Sequence, residues 1–371
     1  MAISKDGPLS SERAAQREAF LAAAGLADAE RQALPGDAST RAYVRLVRSG
    51  RPSLMLMDSP PAAEGRTLPA GATEDERIAA GYAAMARLSA SRIDAFVASA
   101  GYLRARGLSA PEIIAFDTGL GFAILEDLGD GLFARLIEDG QDQRPLYAAA
   151  VEALVLLQNE TPPPVLQADG ASWPLLAYDD LALKTGADLF VQWLPKLDPR
   201  VAISADDAAE WDALWRPARL RAAAGATAFT HRDYHAENLL WLPQRSGVAR
   251  VGMIDFQDCV LAHPSWDLHS LLQDARRDVP QQLEAAMLDH YFALRPDIER
   301  ETFMADYAAL AALNEARIIG IFSRLISRDG KPRYRAFLPR MWRHLMTNLQ
   351  RDDLTPVRRW IEARVPQDLR S

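Results

Sequence analysis

The chain has a single cysteine, Cys259, in 371 residues. That rules out an intrachain disulfide framework and any cysteine-rich zinc or iron–sulfur centre. It has no surplus of positive charge either: 42 Lys and Arg stand against 50 Asp and Glu, a net charge of -8. Nothing in that balance draws nucleic acid or an anionic membrane to the surface. No window approaches about eighteen uncharged apolar residues, so no transmembrane span is expected. The N-terminal stretch carries Lys5, Asp6, Glu12, Arg13 and Arg17 and lacks the apolar core of a signal peptide, which makes the cytoplasm the expected compartment. No Gly-Lys-Ser/Thr phosphate loop is present.

What is there is ordinary globular composition, 49% hydrophobic and 25% charged, at a length of roughly two or three average domains. Two lobes around a cleft are within reach of such a chain. Ser10 is placed to cap a helix running to Gly25. Residues 42–47 and 53–57 read as two strands of a hairpin, and 112–116 and 121–125 as two more. Thr73 and Glu76 form a capping box for a helix, and another helix is expected over 92–106. From residue 126 the periodicity turns helical over 130–139, 143–159, 178–194 and 206–222, and again over 266–275, 280–292, 298–323, 332–350 and 355–363. The interruption at 229–256 holds two short strands with polar residues at their ends. The fold class expected is α+β.

The chemistry is concentrated in Thr230-His-Arg-Asp-Tyr-His-Ala-Glu-Asn-Leu239 and Gly252-Met-Ile-Asp-Phe-Gln-Asp258. His231, Asp233 and Asn238 have the spacing His-x-Asp-x-x-x-x-Asn, and Asp255 follows a short apolar strand. Phosphoryl transfer needs an acceptor hydroxyl aimed at the γ-phosphate and divalent cations to neutralise developing charge. One carboxylate can orient the hydroxyl, while an amide oxygen and a second carboxylate can supply hard oxygen ligands to magnesium.

On these residues the chain resembles the aminoglycoside phosphotransferase superfamily, small-molecule relatives of eukaryotic protein kinases that include choline, homoserine and sugar kinases. The resemblance implies a bilobal protein-kinase-like fold: a small antiparallel-sheet N-lobe over 1–125, a hinge at 126–130 and a helical C-lobe over 131–371. It implies ATP and Mg2+, with Asp233 as the catalytic base or orienting residue and Asn238 and Asp255 as metal ligands. His231 would support the catalytic loop, and Asp267 would hold it. Gly36, Ser39, Thr40 and Arg41 fall where the superfamily places its phosphate-covering loop, and the backbone near Glu126 and Leu128 where adenine is held. The strand Ser53-Leu-Met-Leu-Met-Asp58 lacks the lysine that usually contacts the α- and β-phosphates. Arg41 or Arg45 is expected to supply part of its charge.

A closer resemblance lies in Gly36-Asp-Ala-Ser-Thr-Arg41, Leu56-Met-Asp-Ser-Pro-Pro61, Leu125-Glu-Asp-Leu-Gly-Asp130, the His231 segment and Ile254-Asp-Phe-Gln-Asp258. Together these look like the bacterial N-acetylmuramate/N-acetylglucosamine anomeric kinases of cell-wall recycling. Such a kinase moves the γ-phosphate of ATP to the C1 hydroxyl, giving a sugar 1-phosphate. His235, Glu237, Arg317 and Arg324 are candidate acceptor contacts, as are Trp173, Tyr178, Trp193, Asn314 and Trp342. An arginine could meet the lactyl carboxylate of N-acetylmuramate. Kinases of aminoglycosides, choline or other sugars would use the same core residues, and a cationic acceptor would call for an acidic pocket. A non-catalytic nucleotide-binding protein is the remaining alternative. The expected partner is a small amino sugar, and the expected state is a monomer.

Overall fold

The structure is a computed structural model and describes residues 8–34, 41–60 and 68–370. Gly36, Ser39 and Thr40 lie outside the described residues.

Helix α1 (Pro8–Ala23) leads into strands β1 (Glu30–Ala33), β2 (Ala42–Val47) and β3 (Leu54–Asp58). Helices α2 (Glu74–Ala80), α3 (Tyr82–Met85) and α4 (Ile93–Ala105) follow, then β4 (Ile113–Asp117) and β5 (Phe122–Glu126). The five strands form one antiparallel sheet in the order β1-β2-β3-β5-β4. The apolar run Leu54-Met-Leu-Met sits between two neighbours, as a central strand should. β1 was not foreseen: Glu30-Arg-Gln-Ala33 is exposed throughout and has no apolar alternation, so only backbone pairing to β2 defines it. Arg13 fastens α1 to the sheet. Its Nε and Nη2 donate to Asp58 at 3.0 and 2.5 Å, and its guanidinium lies 3.7 Å above the Phe122 ring. α2 begins on the expected capping box, with Thr73 and Glu76 bonded reciprocally.

Beyond Glu126 the chain is mostly helical. α5 (Phe133–Glu138) and α6 (Gln143–Gln158) precede a hairpin of β6 (Val165–Ala168) and β7 (Ala171–Pro174). That hairpin was also unforeseen, although Asp169-Gly170 at its turn, with φ of 51° and 83°, is the residue pair such a turn requires. α7 (Asp180–Leu197) and α8 (Ala205–Ala224) follow. α7 runs three residues past its expected end, with Pro195 inside its last turn at the cost of one intrahelical bond.

Four short strands, β8 (Ala228–Thr230), β9 (Leu239–Trp241), β10 (Val251–Met253) and β11 (Val260–Ala262), pair as β8 with β11 and β9 with β10. Helices α9 (Ser265–Leu272), α10 (Gln281–Leu294), α11 (Arg300–Ser327), α12 (Leu338–Asn348) and α13 (Thr355–Arg364) complete the fold. The single helix expected over 332–350 is instead a 3-10 turn, Pro332–Phe337, and then α12, because Pro339 opens a new first turn.

One apolar cluster runs from Met57 and Leu125 through α4 and α6 to Leu268 and Tyr307. A second joins α7, α8 and α11 to α13 around Trp211, Trp215, Trp342 and Trp360. Trp173 and Trp342 therefore belong to the core, where aromatic burial contributes most. The result is an α+β, protein-kinase-like architecture of an antiparallel sheet and a larger helical body. Among the described residues no helix is long and apolar enough to cross a membrane.

Candidate active site

The two antiparallel pairs β8–β11 and β9–β10 send two loops out side by side, residues 231–238 and 254–259. Buried His231 ties them together: its Nε2–H donates to the Ile254 carbonyl at 2.9 Å. Burial lowers the His231 pKa, against the pull of Asp233 and Asp255, so a neutral ring with one N–H fits the place. The backbone N–H groups of His231 and Arg232 both donate to Asp267, at 2.6 and 2.9 Å. Arg232 has a φ of +76°, a conformation that costs energy for any residue with a Cβ. The paired bonds to Asp267, on the first turn of α9, hold it there. Burial pushes the Asp267 carboxyl up to about 7, against those two amide donors.

Asn238 is fixed by its Nδ2, which donates to the Asp233 backbone carbonyl at 2.9 Å, and by its carbonyl, which accepts from Ile254 N–H at 3.1 Å. With Nδ2 turned inward, Oδ1 is the amide atom left to face a ligand. Asp255, at φ +64°, accepts from Gln257 Nε2 at 3.0 Å and pairs with Arg41 Nη2 at 3.0 Å, both through Oδ1. No described residue makes a hydrogen bond or ion pair to the Asp233 carboxylate. Asn238 Oδ1 and Asp255 Oδ2 are hard oxygens on adjoining loops. No group of three or more His, Cys, Asp or Glu placed for a metal occurs among the described residues. Two protein oxygens completed by water and phosphate suit Mg2+, which keeps much of its hydration.

On the sheet side, the buried Arg41 guanidinium lies between Asp255 and Tyr43. Burial raises the Tyr43 pKa, so its hydroxyl stays protonated beside that cation. Arg45 goes elsewhere: it donates to Asp127 at 2.6 and 3.3 Å and to Asp130 at 3.1 and 2.8 Å. Of the two arginines offered in place of the missing lysine, only Arg41 stands at Asp255. At the end of β5, Glu126 N–H donates to the Glu112 carbonyl, while its carboxylate takes Arg245. The Leu128 side chain lies over Gly252, where an added Cβ would come within 3.3 Å of Leu128 Cδ1.

The remaining expected contacts divide between two places. His235 and Glu237 meet Arg276, at 3.0 Å to His235 Nε2 and 2.9 Å to Glu237 Oε2. Burial, then Arg276, holds the His235 pKa well below its ordinary value. Arg317 and Arg324 lie together on α11 with Tyr82. The Arg324 guanidinium is 5.8 Å from the Tyr82 ring, and Arg317 is within electrostatic range of Tyr178, Tyr82, Asp233 and Asp258.

Beside them runs a segment that sequence reading missed. Arg87, Ala90 and Ser91 have φ values of 58°, 50° and 64°. Asp258 accepts from Ser89 N–H at 2.6 Å, and Arg232 Nη1 donates to the Arg87 carbonyl at 3.2 Å. The Arg87 carbonyl and the Ser89 N–H thus tie this turn of left-handed residues to the 231–238 and 254–259 loops. No glycine signals the turn, so its sequence gave no cue. Arg276 was missed as well, since nothing in its local pattern announces a partner 41 residues away.

A family model described as "Phosphotransferase enzyme family" matches residues 30–313. An N-acetylmuramate/N-acetylglucosamine kinase of Caulobacter vibrioides is 54% identical over 98% of this chain and 99% of its own. A Pseudomonas aeruginosa protein of the same name is 29% identical over 85% and 82%. In structure, a choline/ethanolamine kinase family protein from Mesorhizobium loti matches with a TM-score of 0.55 at 16% identity, covering 96% of this chain and 99% of its own. That likeness concerns the fold, and the sequence matches carry the family. The chain belongs to the phosphotransferase enzyme family.

Proposed function

We propose that this enzyme transfers the γ-phosphate of ATP to the anomeric C1 hydroxyl of N-acetylmuramate and N-acetylglucosamine. The observation that carries this reading is an Asp233 carboxylate with no hydrogen bond or ion pair from a described residue, on a loop tied to Asn238 and beside the loop of Asp255, with Arg317 in electrostatic range. The 54% identity to a kinase of those two sugars supports the choice of acceptor.

ATP would lie between the sheet and the two loops, with its adenine near Glu126 and Leu128. Arg41 would face the phosphates, beside the described end of the 36–41 loop. Mg2+, held by Asn238 Oδ1 and Asp255, would neutralise charge on the phosphates. Asp233 orients the C1 hydroxyl and takes its proton as the O–P bond forms. The bond from the γ-phosphorus to the bridging oxygen breaks, and ADP leaves. His231 and Asp267 keep Asp233 in place without touching the reacting atoms. In this reading residues 1–125 and 131–371 act as nucleotide and acceptor lobes about the 126–130 hinge. The reaction belongs in the cytoplasm, where ATP is available, with the product feeding cell-wall recycling, and a monomer suffices for it.

A cationic acceptor such as choline or an aminoglycoside fits less well. Arg317 lies within electrostatic range of Asp233, with Arg324 two turns along the same helix, and these two cations would disfavour a cationic acceptor, while Arg87 is already paired with Asp179.

The test is ATP- and magnesium-dependent phosphorylation of N-acetylmuramate, N-acetylglucosamine, glucose, choline and kanamycin, with Asp233→Asn as control. Acid-labile sugar 1-phosphate from the first two is expected, with a loss of about a thousandfold or more in the variant. Product only from choline or kanamycin would reject the acceptor, and no product with tight ATP binding would reject the kinase reading.

A further inference from the structure

Two arginines of α11 approach the acceptor side with part of their hydrogen-bonding capacity unspent. Arg317 Nη1 donates to Asn314 Oδ1, one turn earlier, at 3.0 Å. That engages one of the five N–H donors of a guanidinium. Arg324 is two turns further along, and its Nε is buried without a hydrogen-bond partner among the described residues. Gly186 of α7 makes the room: a Cβ there would stand 3.0 Å from Arg317 Cδ, so any larger residue would displace the arginine stem. Tyr178, Tyr82, Asp233 and Asp258 all lie within electrostatic range of Arg317. Burial opposes its charge, but those neighbours outweigh burial and keep it protonated.

A half-satisfied cation within electrostatic range of the carboxylate that would receive the acceptor hydroxyl is completed by an anion on the acceptor. A neutral amino sugar offers only hydroxyl and amide groups. A sugar bearing a carboxylate offers two oxygens in the plane a guanidinium prefers, and charge-assisted bonds of this kind are the stronger ones. We propose that Arg317, seconded by Arg324, binds the acceptor's carboxylate and sets the preference for an acidic over a neutral N-acetylated sugar. This rests on the amino-sugar reading above.

The experiment compares N-acetylmuramate with N-acetylglucosamine in wild type, Arg317→Gln and Arg317→Lys, with melting temperatures to verify folding. The ratio of kcat/KM for the acidic sugar to that for the neutral one should fall about tenfold or more in Arg317→Gln, chiefly through KM for N-acetylmuramate. Arg317→Lys, which keeps the charge but loses the fork, should recover part of the ratio. If the glutamine variant fails to fold, a severalfold lower ratio in the lysine variant still carries the proposal. An unchanged ratio with both rates depressed would overturn it and assign Arg317 to the transferring phosphoryl group. A wild type active on N-acetylglucosamine alone would overturn it while sparing the amino-sugar reading, and one active on neither sugar would overturn both.

Discussion

Arg41 and Arg45 are four positions apart, one just before β2 and one within it, yet their charges go to different partners. Arg41 meets Asp255, where the phosphates would lie. Arg45 is locked to Asp127 and Asp130 in the segment after β5. Asp127 is only 3% exposed in its side chain, and burial would raise its pKa. Ser53, Arg45 and the Gly129 amide overcome that and hold it below the usual carboxylate range. Two different losses follow. Arg41→Ala should leave the melting temperature near wild type while raising KM for ATP or lowering kcat by about ten- to a hundredfold. Arg45→Ala should instead leave Asp127 short of its cation and cost about 1.5–3 kcal/mol of stability. Steady-state kinetics and urea denaturation on both variants separate the two, and a reversed pattern would exchange their roles. The sequence could offer both arginines in place of the lysine but could not choose between them. The choice depends on Asp127 and Asp255, which lie 82 and 214 positions from their partners.

At the scale of elements, the 231–238 loop stood out because its polar chemistry is written within eight residues, and strands β2, β3, β4 and β5 because each carries a short apolar run between turn signals. The hidden parts lacked that local signature: β1 has no buried face, and the 86–92 turn has left-handed residues without a glycine. Two contacts carry the geometry of this region. Asp267 ties α9 to the strained start of the 231–238 loop through two amides. Asp267→Asn can accept with one oxygen only. It should lower kcat about ten- to a hundredfold and stability by about 1–3 kcal/mol, with KM for the sugar less affected. Unchanged kcat would show that the loop keeps its shape without the paired bonds. The second contact is Gly320 of α11, where an added Cβ would stand 2.3 Å from the Leu189 backbone carbon of α7. Backbone cannot yield as a side-chain tip can, so Gly320→Ala should destabilise by about 1–3 kcal/mol or more by forcing the helices apart. A denaturation midpoint equal to wild type would contradict this close approach.

Over the whole molecule, buried titratable groups pull the pH dependence of stability in opposite directions. His231, His235, His263, His269 and His344 have folded pKa values depressed chiefly by burial. The unfolded chain therefore binds more protons than the native state as pH falls below about 6.5, and stability drops. Asp267, Asp274, Glu284 and Glu315 have raised folded values, again from burial, and act with the opposite sign: the native state takes up protons first and gains stability as pH falls. The sum for the whole protein hides both contributions, so one group has to be isolated. His269 serves well. Its ring is buried edge-on against Trp266 and Tyr307, its Nε2 has no hydrogen-bond partner among the described residues, and its pKa falls to about 3. Between pH 7 and pH 5 the unfolded histidine gains its proton while the folded one does not, which costs wild type about 2 kcal/mol that His269→Gln does not lose. Whatever the variant's stability at pH 7, its standing relative to wild type should improve by about that amount at pH 5. Urea denaturation of both proteins at the two pH values measures it. A difference that does not move would mean that the folded His269 titrates like an exposed one, and the tight packing around α9 that holds Asp267 against the catalytic loop would have to be looser than the structure has it.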